Sequence, residues 1–399
     1  MTKNFSPSKR FLASRLDGQE ATNERKKMIA LANEIPDVIN LGRGDPDLET
    51  PAHIVEAAIN SLKAGGDSTH YTPWAGLPEL RKAIAEKLKK ENNIIADPAS
   101  EIIVTVGAQE AIFLTMMSLI NPGEEIIVPE PRYTPYDTSI SLAGGVMVPV
   151  ETKIEHGFEV RAEDIEKVIT KKTKAILLVS PNNPTGAIIS KENLEAIADL
   201  AEREDLLIIS DELYEKLIFD DTPYHSIASF PRMFERTITV NGLSKSYSMT
   251  GWRIGYLAGP KELIQPMLNL KYAVTICATG VAQKAAFAAL TGPQDCIKEI
   301  VDVYQERRKV VMAGLDQLGI PYVVPKGSFY IFPDIRKFRM SSYDFASTLL
   351  KSTGVFTFPG TCFGQSGEGF IRLSLLVPSE RIKEAFNRME KFLLNQKIV

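Results

Sequence analysis

The sequence predicts an α/β protein in which a large unit, built on a mostly parallel central sheet flanked by helices, is joined to a smaller α+β unit. Three features predict it. Strand-length apolar runs alternate with helix-length amphipathic segments through the middle of the chain. Those runs are apolar at nearly every position, the pattern of strands buried on both faces. After Pro293 the texture changes to a long charged helical segment followed by short strands.

Taken in order, the run Glu101–Val106 stops at Gly107, and helical spacing follows from Gln109 to Leu119. Glu125–Val128, Val146–Val150, Lys174–Val179, Leu206–Ser210 and the β-branched Thr237–Val240 are the next strands. Between two of them, Ser190 stands as an N-cap, and Leu194, Ile197, Ala198 and Ala201 recur at helical spacing up to Arg203. These elements place the large unit over 45–290. Beyond it come a helix over about Gln294–Leu318, the turn Gly319-Ile320-Pro321 and a strand at Ser328–Phe332. A helix near Tyr343–Leu350, strands around Val355–Phe358 and Phe370–Ser374, and a terminal helix complete 291–399, against which 1–44 is expected to pack.

At 399 residues the chain is too long for one simple core. With 44% hydrophobic and 24% charged residues it has an ordinary globular composition. A net charge of −4 gives no reason to expect nucleic acid or an anionic membrane as a partner. Cys277, Cys296 and Cys362 are too far apart for a disulfide framework or a zinc site, and the four histidines show no metal-ligand spacing, so no metal is expected. No secretory signal is visible in Met1–Arg25, and no stretch approaches the ~20 apolar residues that span a bilayer. A cytoplasmic protein is the expectation.

The chemistry concentrates at Gly242-Leu243-Ser244-Lys245, with Arg253 eight residues further on. A lysine at the end of an apolar strand is poorly hydrated, so its neutral amine becomes accessible and can attack a carbonyl. The arginine offers a fork of donors suited to a phosphate. An aldehyde and a phosphate together describe pyridoxal 5′-phosphate (PLP). Asp211 ends its strand at the carboxyl edge, where open α/β sheets bind ligands. Buried there it needs a cation such as a protonated pyridine, or else it caps the following helix. Gly107-Ala108-Gln109 opens a helix after a strand, which describes a phosphate cradle and an ordinary turn equally well. Ser180–Gly186 is dense in turn-forming residues at the same edge. Arg372 interrupts an apolar strand and must meet an anion, either a structural carboxylate or a ligand.

The whole string Gly-x-Ser-Lys-x-x-Ser-Met-x-Gly-x-Arg-Ile-Gly over 242–255 resembles the PLP-attachment signature of the class I/II aminotransferases, a fold-type I group that includes aspartate and aromatic aminotransferases. Further similarity runs from about Val38 to near the C-terminus. The resemblance implies a fold-type I PLP-transferase with Lys245 as Schiff-base lysine and Arg253 as phosphate ligand. It implies that Gly107, Ala108 and Gln109 complete the phosphate cup, and that Asp211 and Tyr214 meet the ring nitrogen and the 3′ oxygen. Asn183, in Asn-Pro-Thr-Gly, belongs near the ring oxygen and the substrate carboxylate; Tyr133 is the stacking aromatic, unless it simply packs in the core. Gly42 lines the substrate side, Arg372 binds the α-carboxylate, and Tyr71 reaches the phosphate from the neighbouring subunit of a homodimer. Three positions depart from relatives: Gly242 stands where a phosphate-binding serine is frequent, and Gln109 where some enzymes for acidic substrates have lysine. Arg43 replaces a small or aliphatic residue, and either points to solvent or favours substrates with a second negative group. The implied activity is amino-group exchange between an L-amino acid (acidic, aromatic or broad in range) and a 2-oxo acid such as 2-oxoglutarate. A carbon–sulfur lyase on the same scaffold is the alternative. The aminotransferase-like part of certain transcription regulators is a third possibility, disfavoured because about 40 residues before Leu41 leave no room for a DNA-binding domain.

Overall fold

The computed structural model describes residues 22–395 together with Ala13 and Arg15; residues 1–12, 14, 16–21 and 396–399, including much of the expected N-terminal packing segment, lie outside the described residues. The chain begins with α1 (Thr22–Asn33), the short strand β1 (Ile39–Asn40), α2 (Ala52–Ala64) and α3 (Pro78–Asn92). The alternating stretch is β2 (Ile102–Thr105), α4 (Gly107–Leu119), β3 (Glu125–Glu130), α5 (Pro135–Leu142), β4 (Val146–Glu151), α6 (Ala162–Glu166), β5 (Thr173–Val179), α7 (Lys191–Arg203), β6 (Leu207–Asp211) and β7 (Thr237–Gly242). Then come β8 (Gly255–Ala258), α8 (Lys261–Val274), α9 (Gly280–Thr291) and α10 (Asp295–Gln317). The chain closes with β9 (Tyr330–Ile331), α11 (Ser342–Thr353), β10 (Val355–Phe356), β11 (Phe358–Pro359), β12 (Ile371–Ser374) and α12 (Ser379–Asn395).

The apolar runs form one seven-stranded sheet in the order β2-β8-β7-β6-β5-β3-β4. Its strands are parallel except β8, which runs against both neighbours. Alternate residues feed opposite faces: Ile126 and Val128 pack with α4 and α8, while Ile127 joins Leu194 and Ile197 of α7. Each such buried aliphatic side chain is worth about 1.5–3 kcal/mol. Ser190 caps α7 as the sequence predicts, its hydroxyl oxygen accepting from the Asn193 N–H at 3.3 Å.

Two expectations about the strands of this sheet differ. β4 is an edge strand paired only with β3, and Val146 is 48% exposed, so its apolar run is not buried on both faces. β8 is missing from the sequence reading because Gly255-Tyr256-Leu257-Ala258 is short and half small residues. Its reversal matters for the site. Gly255, its first residue, pairs with Gly242 at the end of β7 and with Thr105 at the end of β2.

A further core gathers Met28 of α1, Ile39 and Leu41 with Tyr304, Leu315, Phe329, Leu373 and Phe386, and reaches into the central part through Phe158, Tyr214 and Leu217. β1 pairs in parallel with β10, and β11, β12 and β9 form an antiparallel sheet. The single strand expected over Val355–Phe358 is therefore two, serving different sheets on either side of Thr357.

Helices α10 and α12 approach closely at Gly314, where an added Cβ would lie 2.4 Å from the Phe386 ring. In a free helix Gly→Ala gains about 1 kcal/mol. Here Gly314→Ala is expected to lower stability by about 1–3 kcal/mol instead, because the ring is boxed into the core; a denaturation midpoint equal to or above that of the parent chain would refute this packing.

Candidate active site

The carboxyl ends of β5, β6 and β7 and the beginnings of α4 and β8 converge on a cavity of about 400 Å³. Nine of the expected residues line it: Ala108, Gln109, Tyr133, Asn183, Asp211, Tyr214, Lys245, Arg253 and Arg372. The parallel strands deliver most of them because their ends stand side by side; Val179 pairs with Asp211, and Asp211 with Val240.

Lys245 follows β7 by three residues, and its Nζ donates to the Gly44 carbonyl at 2.8 Å. It sits 5.6 Å from the centroid of the Phe329 ring. Burial lowers its pKa to about 8, a shift that Asp45 opposes and the charges of Arg372 and Arg253 assist. The amine is therefore neutral in a substantial fraction of molecules near physiological pH.

Asp211 is buried at the end of β6. One carboxylate oxygen accepts the Tyr136 hydroxyl at 2.6 Å, and the other accepts the Leu213 N–H at 3.1 Å. Burial raises its pKa against these hydrogen bonds and the pull of Lys245. Among the described residues no lysine or arginine lies within ion-pair distance of it. Tyr214 is buried beside Phe329 and Tyr330, and desolvation pushes its phenol far above the usual range.

Arg253 faces the start of α4 because β8 begins where β2 and β7 end. A Cβ on Gly107 would meet its Nη2 at 2.6 Å, and one on Gly255 would lie 2.7 Å from the Ala108 nitrogen. Gly107 also has φ +75°, a conformation suited to glycine. The first amides of α4 have no intrahelical acceptor, so they and the guanidinium form a cradle for an anion.

Arg372 is the middle of β12 and only 1% exposed. Its Nη1 donates to the Asn183 side-chain oxygen at 3.0 Å and its Nη2 to the Gly42 carbonyl at 2.7 Å, while Nε has no partner. The rings of Tyr330 and Phe363 lie 4.2 and 4.6 Å from the guanidinium carbon. Among the described residues no carboxylate is within ion-pair distance, so the structural salt bridge admitted by the sequence is not there. A buried cation left in this state is arranged for an anionic ligand.

The chain matches the family described as "Aminotransferase class I and II" over residues 36–389. It is 44% identical to an aspartate aminotransferase of Pyrococcus abyssi and 42% identical to an aromatic-amino-acid aminotransferase of Thermococcus litoralis. Each alignment covers 94% of this chain and 97% of the relative. The crystal structure of an aromatic aminotransferase from Pyrococcus horikoshii superposes with a TM-score of 0.89 at 44% identity, covering 93% of this chain and all of that one. The chain belongs to the class I and II aminotransferases.

In this aminotransferase the remaining expected residues lie outside the cavity wall. Gly42 contributes its carbonyl to Arg372, and a side chain there would collide with Phe356. Gly107 lies behind Ala108, against Arg253. Tyr71 is 80% exposed and does not line the cavity of its own chain. Arg43 is paired with Asp45 at 3.2 Å and also does not line it. The wall contains residues that the sequence reading lacks. Tyr136 was detectable as a second aromatic one turn after Tyr133, and Tyr330 as the polar end of Gly-Ser-Phe-Tyr. Asp45 and Thr250 stand inside the glycine-rich and lysine-bearing segments already singled out, whereas Arg25 carries no such signal, since only tertiary folding brings it to the cavity.

In the ligand-free protein, amine-directed modification of Lys245, followed by peptide mass spectrometry, should titrate with a midpoint near pH 8. Asp45→Asn removes a negative neighbour that favours the ammonium form, so the midpoint should fall further. A parent midpoint at the ordinary lysine value of about 10.4 would show that water reaches the amine freely.

Proposed function

We propose that this enzyme is a PLP-dependent aminotransferase exchanging the amino group between an acidic or aromatic L-amino acid and a 2-oxo acid such as 2-oxoglutarate. The observation that carries the reading is the combination, in one cavity, of a buried amine with a pKa of about 8, a buried carboxylate and a buried guanidinium, the last two without an ion-pair partner among the described residues. The two relatives named for aspartate and for aromatic amino acids support the two donor classes.

The residues fit the cofactor. Among the described residues Asp211 has no cation of the kind that a protonated ring nitrogen provides, and the cradle of Gly107, Ala108, Gln109 and Arg253 suits the cofactor's phosphate. Asn183 and Tyr214 stand as donors for the ring oxygen, and Tyr133 as the aromatic wall. Bound there, PLP supplies an aldehyde that carries the amino group and a protonated ring that accepts the electron pair released at the substrate Cα. Arg372 takes the substrate α-carboxylate through its fork, which orients the Cα–H bond. Lys245, with its pKa near neutrality, removes the Cα proton and later returns one. Tyr136 holds the Asp211 carboxylate by its 2.6 Å hydrogen bond.

We place Lys245, Asp211 and Arg253 on a large unit over 45–290 and Arg372 on a small unit formed by 1–44 with 291–399, so that substrate binding joins the two. The active form is a homodimer in which Tyr71 of one subunit reaches the phosphate of the other. Exposed Tyr71, Trp74, Tyr272 and Val274 support a protein surface there. A cytoplasmic location fits three unpaired cysteines; among the described residues no helix is long and apolar enough to cross a membrane.

The test supplies donors labelled with heavy nitrogen together with 2-oxoglutarate. Label should appear in glutamate, matched one for one by the donor's oxo acid. Lys245→Ala should slow this by about 10²–10⁴-fold or more, and borohydride reduction of the parent enzyme should leave the cofactor's mass on the peptide containing Lys245. Release of pyruvate and ammonia without an oxo-acid acceptor would assign the enzyme to the lyases instead.

A further inference from the structure

Glu110 is a buried carboxylate in the first turn of α4, the helix whose start forms the anion cradle. It does not line the cavity, although Ala108, Gln109 and Ile112 beside it do. Its Oε2 reaches back over the helix start and accepts the Val106 N–H at 2.5 Å. Val106 lies just past the end of β2, so that amide stands beyond the strand ladder and short of the helical one. The Thr105 hydroxyl donates to the Gly107 carbonyl at 2.9 Å. Two side chains thus fix the backbone on which Gly107, Ala108 and Gln109 are presented.

A carboxylate is favourable at a helix N-terminus, but here it competes with an anionic ligand for the same positive end. Lys271 resolves the conflict. It comes from the last turn of α8 and is fully buried. Its Nζ donates to Oε2 and Oε1 of Glu110 at 2.9 and 3.2 Å and to the Thr275 hydroxyl at 2.9 Å, and that hydroxyl donates in turn to Glu110. Among the described residues neither partner has another ion pair. A buried ion pair adds little net stability over an apolar pair of the same shape, so stability alone is a weak account of this one. Its place is a better account, because the ammonium cancels a negative charge that stands less than one turn from Gly107.

We infer that Glu110 and Lys271 are positioning residues for the cofactor's phosphate. Glu110 pins the backbone of the cradle, and Lys271 neutralises Glu110, so that the phosphate meets the helix amides and Arg253 without a bare carboxylate behind them. The inference rests on the assignment of the phosphate to Gly107, Ala108, Gln109 and Arg253. It fixes the sign of two substitutions. Lys271→Met leaves an unneutralised carboxylate behind the cradle, which repels a phosphate. Glu110→Gln keeps an oxygen for the Val106 N–H and leaves an unneutralised ammonium, which attracts one. A pair that served packing alone would weaken binding in both variants.

The test measures, by absorbance titration, the affinity of the full chain freed of cofactor for PLP and for pyridoxal. Both bind through the same aldehyde, so the ratio of the two affinities reports the share of the phosphate. Lys271→Met should lower that ratio by about 10- to 100-fold, and Glu110→Gln should raise it by about 2- to 10-fold. The double variant Lys271→Met with Glu110→Gln should return to within about threefold of the parent ratio, and Lys271→Arg should stay there too. If both single variants lower the ratio, or if neither moves it, the inference is wrong. Should Lys271→Met fail to fold, Glu110→Gln and the double variant decide: a lowered ratio in Glu110→Gln, or a double variant far from the parent, overturns it. Arg253→Met separates this inference from the assignment beneath it. If Arg253→Met lowers the ratio while the Glu110 and Lys271 variants leave it unchanged, only this inference falls. If Arg253→Met leaves the ratio unchanged, the phosphate assignment falls and takes this inference with it.

Discussion

Arg372 stands in the middle of a strand whose neighbours, Ile371 and Leu373, are fully buried, and its charge has no carboxylate beside it among the described residues. A guanidinium in that position is tolerable only because the surroundings replace water piecemeal. An amide oxygen and a backbone carbonyl accept two of its hydrogen bonds, and the faces of Tyr330, Phe358 and Phe363 surround its carbon. Much of the molecule serves this one constraint. The turn carrying Asn183 comes from the end of β5, the Gly42 carbonyl from the segment after β1, and the three rings from the strands and turns around β12. Anion binding at the centre is therefore a property of the packed whole, and no single loop carries it.

Asp211 is the opposite charge under the opposite constraint. Behind it lies a second layer of buried polar groups that fixes the ends of β6 and β7. Glu212, whose pKa is raised by burial and by the charge of Glu215, accepts from the hydroxyls of Ser210 at 2.9 Å and Ser226 at 2.5 Å. Glu215 is held by Lys87, by Asn92 at 2.5 Å and by Asn241 at 2.7 Å. With so many donors committed to these two acids, the strand ends that carry Asp211 and lead to Lys245 cannot shift independently. The reversed strand β8 adds the last piece, since only a strand running the other way brings Arg253 to the edge where the parallel strands end.

The chemistry of the site was largely legible in the sequence, for a physical reason. Lysine after a β-branched run, aspartate at a strand's carboxyl end and arginine inside an apolar strand are each expensive to bury, so each announces a partner by its place in the chain. The same logic fails for residues whose cost is small where they stand. Tyr136 and Tyr330 read as ordinary core aromatics, although the hydroxyl of the first orients Asp211 and the ring of the second covers Arg372. Arg25 reads as one more charge on a polar helix, because nothing local shows which way that helix faces. Arg43 draws attention by its place in a glycine-rich segment, and the structure shows it beside Asp45 two residues on.

By itself the sequence determined the α/β class, the succession of buried parallel strands and the identity of the charged residues at their ends. Those are consequences of local periodicity and of the cost of burying charge, both of which are written along the chain. Tertiary structure alone decided that Val146–Glu151 lies at an edge, that Gly255–Ala258 runs backwards through the sheet, and that Arg25 and Arg372 flank the same ring. Contacts between residues more than 300 positions apart depend on how the two ends of the chain pack into one core, and no local pattern of residues encodes that.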